Sequence, residues 1–375
     1  MEADSHPNDS FSQDKNRLLP LTALFDGEFS LDWLVELTGI KASLILSVME
    51  EEVQKQVLVK KEPAVYIFKN IKKRDEWRNE LSDDERERYH RNISAIIVRE
   101  LPDDDSKALS IASHLLHISN DWKGCQWLVR AGDIYMSAFS ADNAIACFEK
   151  VLNDLSGQRG NKEDWLFVRA AIGHSSAALG RTDASKAISN LREAEKRAKK
   201  LKKPSYEALI EMHIAKYERL SFFLDTALRR FERALSRMKR LDDPELAAAT
   251  TSFSAYFFFW QGRFRDVVEI YEKSVPDVEK YPIGPFSIIA ALMVGHSYAL
   301  VGRTTQGLGL LDTIHRYCLQ KGDRYLPAYA ASIIAMVMLS INRVEDAFRY
   351  LKSSLKDAEE THNYGVEICV ALLLA

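Results

Sequence analysis

Cysteine is scarce in this chain, and the spacing of the few cysteines argues against two classes of site. No two of them form a C-x-x-C pair, the spacing that structural zinc sites commonly use. A disulfide framework is also disfavoured, because disulfide-dense folds are short and rich in cysteine. The sequence therefore predicts reduced thiols in a reducing compartment. The four cysteines are Cys125, Cys147, Cys318 and Cys369.

Excess charge of one sign and long apolar runs are also absent. The net charge is −3, which predicts no overall attraction to nucleic acid or to an anionic membrane. The most apolar runs, 286–302 and 329–341, are shorter than the ~20 residues that a membrane-spanning helix needs. The polar N-terminus lacks the apolar stretch of a signal peptide. We therefore expect a cytoplasmic protein with no membrane partner.

Glycine and proline are few, 16 and 10 residues, and they lie at the ends of segments. Between them, most of the chain after residue 71 has apolar residues at helical spacing. A small residue recurs inside these predicted helices about every 40 positions, which indicates an internal repeat. This small-residue position is filled by Gly132, Gly173, Ala215, Ala255, Gly295 and Ala335.

A second predicted helix follows in each unit and keeps the same period. Its small or slim residue is Ala144, Ala187, Ala227, Val267, Gly307 or Ala347. A large apolar residue stands four positions later, at Phe148, Leu191, Phe231, Tyr271, Leu311 and Leu351. Small residues let two helices approach closely, and the large residue fills the gap against the next unit. The sequence thus predicts six stacked helical hairpins.

This pattern resembles the tetratricopeptide repeat family over residues 122–375. The best match is CQWLVRAGDIYMSAFSADNAIACFEKVL, where Gly132, Tyr135, Ala144 and Phe148 take the signature positions. The period exceeds the ~34 residues of that family, which predicts longer helices or loops. One further period after Ala335 reaches Ala375, so we expect a truncated seventh unit, in a chain that is a fragment, an excised piece or a truncated gene product.

The segment before the repeats has a different pattern. Residues 1–16 are polar and predict a disordered tail. Residues 17–70 predict three helices, the second capped by Ser30 and ended by Gly39, and then two strands joined by a turn at Glu62-Pro63. Three helices followed by a hairpin are typical of a winged helix. Residues 71–121 predict a helical connector. The fold class is therefore mainly α, a winged-helix module followed by a tetratricopeptide-like superhelix.

The order of four pieces resembles the region just after the nucleotide-binding domain in signal-transduction ATPases with numerous domains, the class that includes maltose-type activators. The pieces are LFDGEFSLDWL, YIFKN, ERYHRNIS and ASHLLH with the following DW and WLVRAG. The resemblance implies a sensor array, a relaying winged helix and an ATPase switch, in cis or in trans. This chain has no GxxxxGK[ST] loop, so we expect no ATP binding by that route.

A possible binding groove follows from the repeats. In tetratricopeptide arrays one stripe of each first helix lines the concave surface, where a protein or a small effector binds. In the stretch AYFFFWQGRF, Phe258 is predicted to be core, whereas Tyr256 and Phe259 either pack or face this groove. The candidate groove residues are Asp133, His174, Lys216, Arg219, Tyr256, Phe259, His296 and Met336.

A basic patch is the second candidate. Second helices of two consecutive units carry many cations, which form either a solvated face or a docking patch for nucleic acid or an acidic protein. The candidate residues are Lys196, Arg197, Lys199, Lys200, Arg229, Arg230, Arg233 and Arg237.

Other chemistry is not indicated. The third helix of the winged helix contains Glu50, Glu51 and Glu52, and carboxylates there disfavour contact with DNA phosphates. His114 and His117 lack a third ligand, since His90 is near them only in sequence, so a packed helix pair is favoured over a metal site. We expect no catalytic residues, no metal and no cofactor.

The leading expectation is a non-catalytic sensor and relay region of a bacterial-type signal-transduction or transcription-regulating ATPase. One alternative is a standalone scaffold that assembles protein partners. The other is an adaptor that holds nucleic acid or an acidic partner on the basic patch of residues 195–240.

Overall fold

The structure is a computed structural model that describes residues 7–178, 183–274, 285–323 and 325–374. The chain divides into two compact units, one ending at Leu128 and the other beginning at Val129. The division lies inside the first helix of the repeat array, a few residues after the expected boundary at 121. In the described part of the chain, no helix is both long enough and apolar enough to span a membrane.

The first unit contains a winged-helix-like module. The helices of this first unit are α1 (Pro7–Thr22), α2 (Leu31–Thr38), α3 (Ala42–Gln54), α4 (Ile71–Arg78), α5 (Asp83–Glu100) and α6 (Asp105–Leu115). Its strands are β1 (Phe29–Ser30), β2 (Leu58–Glu62) and β3 (Val65–Phe68), which form an antiparallel sheet in the order β1-β3-β2. The pattern predicted the three helices and the two-strand wing, whereas the two-residue strand β1 was not predicted.

Local signals explain the ends of these elements. The Ser30 side chain accepts a hydrogen bond from the Trp33 backbone N–H and caps α2, and Gly39 ends that helix in the left-handed conformation at φ 70°. A capping box between Ser82 and Glu85 begins α5, since each side chain satisfies a backbone N–H that the helix leaves unpaired.

The tail expectation differs from the structure over residues 7–16, which are helical as part of α1. Polar composition suggested disorder, but Lys15 Nζ lies 2.6 Å from the Glu51 carboxylate and ties this helix to α3. Residues 1–6 lie outside the described residues. Glu50 also pairs across the module, with Lys60 on β2 at 2.6 Å. The acidic run of α3 therefore joins elements of the module.

The second unit is a stack of helical hairpins, as the repeat predicted. The first helices are α7 (Cys125–Ser137), α9 (Asn161–Ala178), α11 (Pro204–Leu220), α13 (Ala247–Trp260), α15 (Pro285–Leu300) and α17 (Tyr325–Ser340). The second helices are α8 (Ala141–Asp154), α10 (Ala184–Lys200), α12 (Leu224–Leu241), α14 (Phe264–Ser274), α16 (Thr304–Gln320) and α18 (Val344–Glu360). A further first helix, α19 (Tyr364–Leu374), follows, and Ala375 lies outside the described residues.

Phe148 explains the glycine positions. A Cβ atom added to Gly132 on α7 would lie 2.6 Å from the Phe148 ring, and one added to Gly173 on α9 would lie 2.5 Å from it. Gly295 has the same relation to Leu311, at 2.7 Å. The side chain of the large residue on the second helix therefore fills the space that the small residues leave open, so that the helices pack closely without a void.

In the five hairpins whose connecting turn the structure describes, that turn has a residue with positive φ. Gly262, Gly302 and Asn342 fill this turn position, with φ of 72°, 88° and 61°. Phe139 and Phe222 fill it in two other units, with φ of 59° and 63°. The left-handed conformation costs a residue with a Cβ atom roughly 1–2 kcal/mol, so the two phenylalanines are unusual.

First helices form the interior of the array. Every residue of α11 from Ala208 to Glu218 is buried. Contacts also join hairpins that are not neighbours in sequence. Helix α9 contacts α15, and the ring of Phe139 lies 5.6 Å from that of Tyr317 on α16. The second helices keep an exposed outer side.

Candidate functional site

The candidate groove residues lie on successive first helices, on the face that we call the inner face. They differ in burial, which decides what each can bind. His174, Lys216 and Tyr256 are buried; Arg219, Phe259, His296 and Met336 are half-buried; Asp133 is exposed. The half-buried members form a band on α11, α13, α15 and α17.

Arg219 lies at the centre of this band. Its guanidinium donates a hydrogen bond to the Tyr256 hydroxyl at 3.0 Å and stacks on the Trp260 ring at 3.6 Å from the ring centroid. Among the described residues no carboxylate lies within ion-pair distance of Arg219. Burial raises the pKa of Tyr256, against the opposing effect of the nearby guanidinium. A half-buried cation between two aromatic side chains can accept an anionic or aromatic group.

Phe259 extends the band toward the next unit. Its ring lies 5.4 Å from the ring of His296 on α15 and 5.5 Å from that of Phe264. Burial lowers the pKa of His296, so this imidazole is mainly neutral at pH 7. Met336 lies further along, packed against the apolar core.

The same aromatic stretch also supplies core. Phe257 stacks on Phe231 with ring centroids 4.2 Å apart, and Phe258 meets Phe231 edge-on at 6.0 Å. The stretch is therefore divided between packing at Phe257 and Phe258 and the inner face at Phe259, with Tyr256 buried between them.

A buried polar network on α9 and α11 was not predicted. The Ser175 hydroxyl and His213 Nδ1 are 2.8 Å apart, and Lys216 Nζ donates to the Ser175 carbonyl at 2.5 Å. Burial lowers the pKa of Lys216 to about 7 and that of His213 well below its usual value. The repeat in the sequence could have revealed this network, because residues about one period apart lie side by side on neighbouring first helices.

The other two candidates are in ion pairs or close to them. His174 Nε2 lies 3.4 Å from a Glu149 carboxylate oxygen, and burial lowers the pKa of this imidazole. Asp133 pairs with Arg169 on α9 at 2.8 Å. Both contacts join one unit of the array to the next.

The basic patch is largely neutralised by neighbouring carboxylates. On α12, Arg230 binds Glu218 with both of its hydrogen bonds, at 3.0 and 2.8 Å, while Arg233 and Arg237 pair with Glu211 and Glu207 of α11. The pairs on α10 are Lys196–Glu193, Arg197–Glu193, Lys199–Glu195 and Lys200–Asp164. Arg197 is buried, and Arg229 donates to a backbone carbonyl of its own helix.

The three histidines of the first unit are closer than their sequence positions suggested. His90 Nδ1 lies 2.8 Å from His114 Nδ1, and the His117 ring stacks on His90 at 4.6 Å. The expectation that His90 is near the others only in sequence was wrong, because α5 and α6 pack together. Burial lowers the pKa of His90 to about 3 and that of His114 to about 4. In the described ranges, no group of side chains is arranged to hold a metal ion.

No known family model matches the chain, and no curated protein is significantly similar to it. Solved structures do match. One is a signal-transduction ATPase with numerous domains and a tetratricopeptide repeat sensor from Pyrococcus horikoshii, with a TM-score of 0.53 and 14% identity. The match covers 99% of this chain and 55% of that protein, so this chain spans just over half of its length.

Two further structures match less closely. Aspartyl phosphate phosphatase F from Bacillus subtilis has a TM-score of 0.46 at 11% identity, covering 87% of this chain and 79% of that one. A Rap protein in complex with competence and sporulation factor has a TM-score of 0.46 at 11% identity, covering 95% and 99%. The fold defines a tetratricopeptide-like helical-repeat protein, which structurally resembles the repeat-bearing Pyrococcus ATPase.

Proposed function

We propose that this chain is a non-catalytic sensor and relay region of a signal-transduction ATPase. Its inner face binds a protein segment or a small effector, and its winged-helix-like module relays the result to the nucleotide switch, in cis or in trans. The protein would act in the cytoplasm. The observation that supports this proposal most is the order of elements along the chain, a winged-helix-like module followed by a repeat array, together with a match over 99% of this chain to an ATPase described as having a repeat sensor.

The inner-face band of Arg219, Phe259 and His296 supports the binding step. It places a cation, an aromatic ring and an imidazole on three neighbouring first helices. All three side chains are half-buried, so they combine access with partial desolvation, which strengthens recognition of an anionic or aromatic group. Repeat scaffolds obtain specificity from a few such side chains.

Photo-crosslinking in the native cells tests the binding step. A crosslinking amino acid replaces Phe259 on the inner face, and the matched control replaces Glu232, an exposed residue of α12. We expect a specific adduct from position 259 alone, and Arg219→Gln should reduce its yield. Equal adducts from both positions, or none from position 259, would contradict binding at the inner face.

A double substitution separates binding from packing. Tyr256→Phe with Phe259→Ala keeps the buried ring at position 256, removes its hydroxyl and trims the accessible ring. We expect weaker capture of the crosslinked partner with unchanged circular dichroism. Replacing Tyr256 by alanine as well should lower stability, because the ring is buried. Loss of helicity in the Phe-bearing variant would mean that both residues serve the core.

The relay step is tested by the partner and by the native size. Immunoblotting of native cells gives the size of the product that contains this chain, and a band far above 42.7 kDa would support a switch in cis. A band near that mass, with a co-purifying protein that carries a phosphate-binding loop, would support a switch in trans. A band near that mass with no such partner would contradict the relay.

A standalone scaffold is the second candidate. Burial of His174, Lys216 and Tyr256 favours it, because buried residues contribute to packing and not to an open groove. The nucleic-acid adaptor is not proposed, since most cations of the basic patch already pair with carboxylates of the same array.

A further inference from the structure

The turn between α11 and α12 exposes aromatic side chains in an unfavourable backbone conformation. Phe222 is 87% exposed at φ 63°, and the following Phe223 and Leu224 are 64% and 58% exposed. Other units use Gly262, Gly302 and Asn342 at the position of Phe222, residue types that accept positive φ readily. A strained residue that persists at an exposed site points to a function.

Phe139 shows what normally compensates for this strain. It has nearly the same φ, but it is buried and meets the Tyr317 ring edge-on. Phe222 has no comparable burial. The fold therefore gains packing from the aromatic ring at position 139 and very little from the one at position 222.

The exposed apolar surface continues along the same edge of the array. Leu220, Trp260 and Leu300 are the last residues of α11, α13 and α15, spaced by 40 positions, and each is exposed. A cleft of about 430 Å³ opens beside Leu300, lined also by Phe264 and Arg265. We call this surface, from Leu220 through Leu224 to Trp260 and Leu300, the turn edge. Contiguous apolar surface of this kind marks interaction sites.

Charge on the turn edge indicates the kind of partner. Within the described residues, Arg219, Arg229 and Arg265 have no carboxylate within ion-pair distance, although neighbouring Arg263 pairs with Asp266. Asp225 lies in the first turn of α12, where the helix dipole favours a carboxylate. Available cations beside aromatic rings suit a surface that is both acidic and apolar.

We propose that the turn edge docks an acidic amphipathic helix of a partner protein. The apolar side of that helix would lie on Phe222, Phe223 and Trp260, and its carboxylates would face Arg219 and Arg265. Aromatic anchors with flanking arginines are typical of residues that dominate binding energy. The turn edge shares Arg219 with the inner face, whereas Phe222, Phe223 and Arg265 belong to the turn edge alone.

A pair of model peptides tests the chemistry. Two labelled 18-residue peptides carry leucine at i, i+3, i+4 and i+7 spacing and alanine at most other positions, with four glutamates in one peptide and four lysines in the second, so that helix formation is favoured. Fluorescence anisotropy with the full chain should report binding of the glutamate peptide only, weakened by added salt. Equal binding of both peptides, or no binding of the glutamate peptide, would overturn the proposal.

Phe222→Gly is the critical variant, because Gly262 and Gly302 occupy the same position in other units. It should preserve or raise the thermal midpoint of unfolding while lowering the affinity for the glutamate peptide at least tenfold. Arg265→Glu should lower the affinity for this peptide by a similar factor. The control Phe348→Ala, which trims an exposed aromatic of α18, should change nothing. Unchanged affinity in Phe222→Gly refutes the assignment.

Sedimentation of the chain alone distinguishes a second copy as the occupant. We expect the same sedimentation coefficient for the wild-type chain and for Phe222→Gly at all concentrations. Concentration-dependent dimerisation that disappears in Phe222→Gly would replace the acidic helix by a second copy of this chain.

Discussion

At the scale of single residues, Gly173 and Phe148 give the sharpest stability prediction. Gly173→Ala should destabilise the array by about 1–3 kcal/mol, because the new Cβ would lie 2.5 Å from the Phe148 ring and overpacking has a cost of that size. This loss opposes the gain of up to about 1 kcal/mol that alanine brings to a helix. Urea denaturation measures the difference.

The matched control is Gly309 on α16, where an added Cβ would meet nothing within 4 Å. Gly309→Ala should therefore stabilise by about 0.5–1 kcal/mol. Trimming the ring with Phe148→Leu should reduce the effect of Gly173→Ala in a double-mutant cycle. Equal effects of the two alanine substitutions would contradict the packing explanation.

Lys216 gives the pH prediction at the same scale. Burial lowers its pKa to about 7, below the usual ~10.4 of the unfolded chain. Between these values the unfolded state binds more protons, so stability should rise from pH 7 to pH 9. Below pH 7 both states are protonated and this contribution is constant.

Lys216→Met removes the buried amine and should abolish that rise. It should also stabilise the array at pH 6 by a few kcal/mol, the order expected for a pKa difference of roughly three units. Urea denaturation of both proteins at pH 6, 7, 8 and 9 tests this. Parallel pH curves for the two proteins would mean that the Lys216 pKa is not lowered.

At the scale of secondary-structure elements, ion pairs join α11 to α12. Arg230→Ala should destabilise by about 1–3 kcal/mol, because it leaves the buried Glu218 carboxylate without its two charged hydrogen bonds. Thermal unfolding measures the loss.

Arg229→Ala is the matched control, since Arg229 is exposed and donates a hydrogen bond to the backbone carbonyl of Asp225 in its own helix. Its effect should stay within about 0.5 kcal/mol. The pair Arg230→Ala with Glu218→Gln should recover part of the loss. If Arg229→Ala costs as much as Arg230→Ala, the pairing with Glu218 does not explain the effect.

At the scale of the whole array, contacts between distant units should raise cooperativity. A linear stack of repeats would transmit a change only to its neighbours, but Phe139 of the first hairpin contacts Tyr317 of the fifth hairpin. Phe139→Ala should therefore lower hydrogen-exchange protection in α16 as well as in α7 and α8. Loss of protection confined to α7 and α8 would show that the contact carries no coupling.

Much of the fold could be predicted from the residues. The period of small and large positions identified every hairpin, because Gly132 and Phe148 fit each other only when two helices pack closely. Ser30 and Gly39 marked helix ends through hydrogen bonds that are local in sequence. Polar composition misled at residues 7–16, where a distant partner, Glu51, holds Lys15.

The candidate site was less predictable. Sequence spacing placed Arg219, Tyr256 and Phe259 on one face, but it could not tell that Tyr256 and Lys216 are buried. Burial depends on how first helices of separate units meet, as α9 and α15 do. Among the ion pairs that neutralise the basic patch, those of Arg230 and Lys200 likewise join residues 12 and 36 positions apart.

The sequence by itself determined the repeat, the hairpins and the winged-helix-like module, because these depend on periodicity and on short-range hydrogen bonds. Only the tertiary structure decided which of the repeated side chains are accessible. It buried Lys216, paired Arg230 and left Phe222 exposed at positive φ. Exposure and ion pairing depend on distances between helices that are far apart in sequence, and no local pattern encodes them.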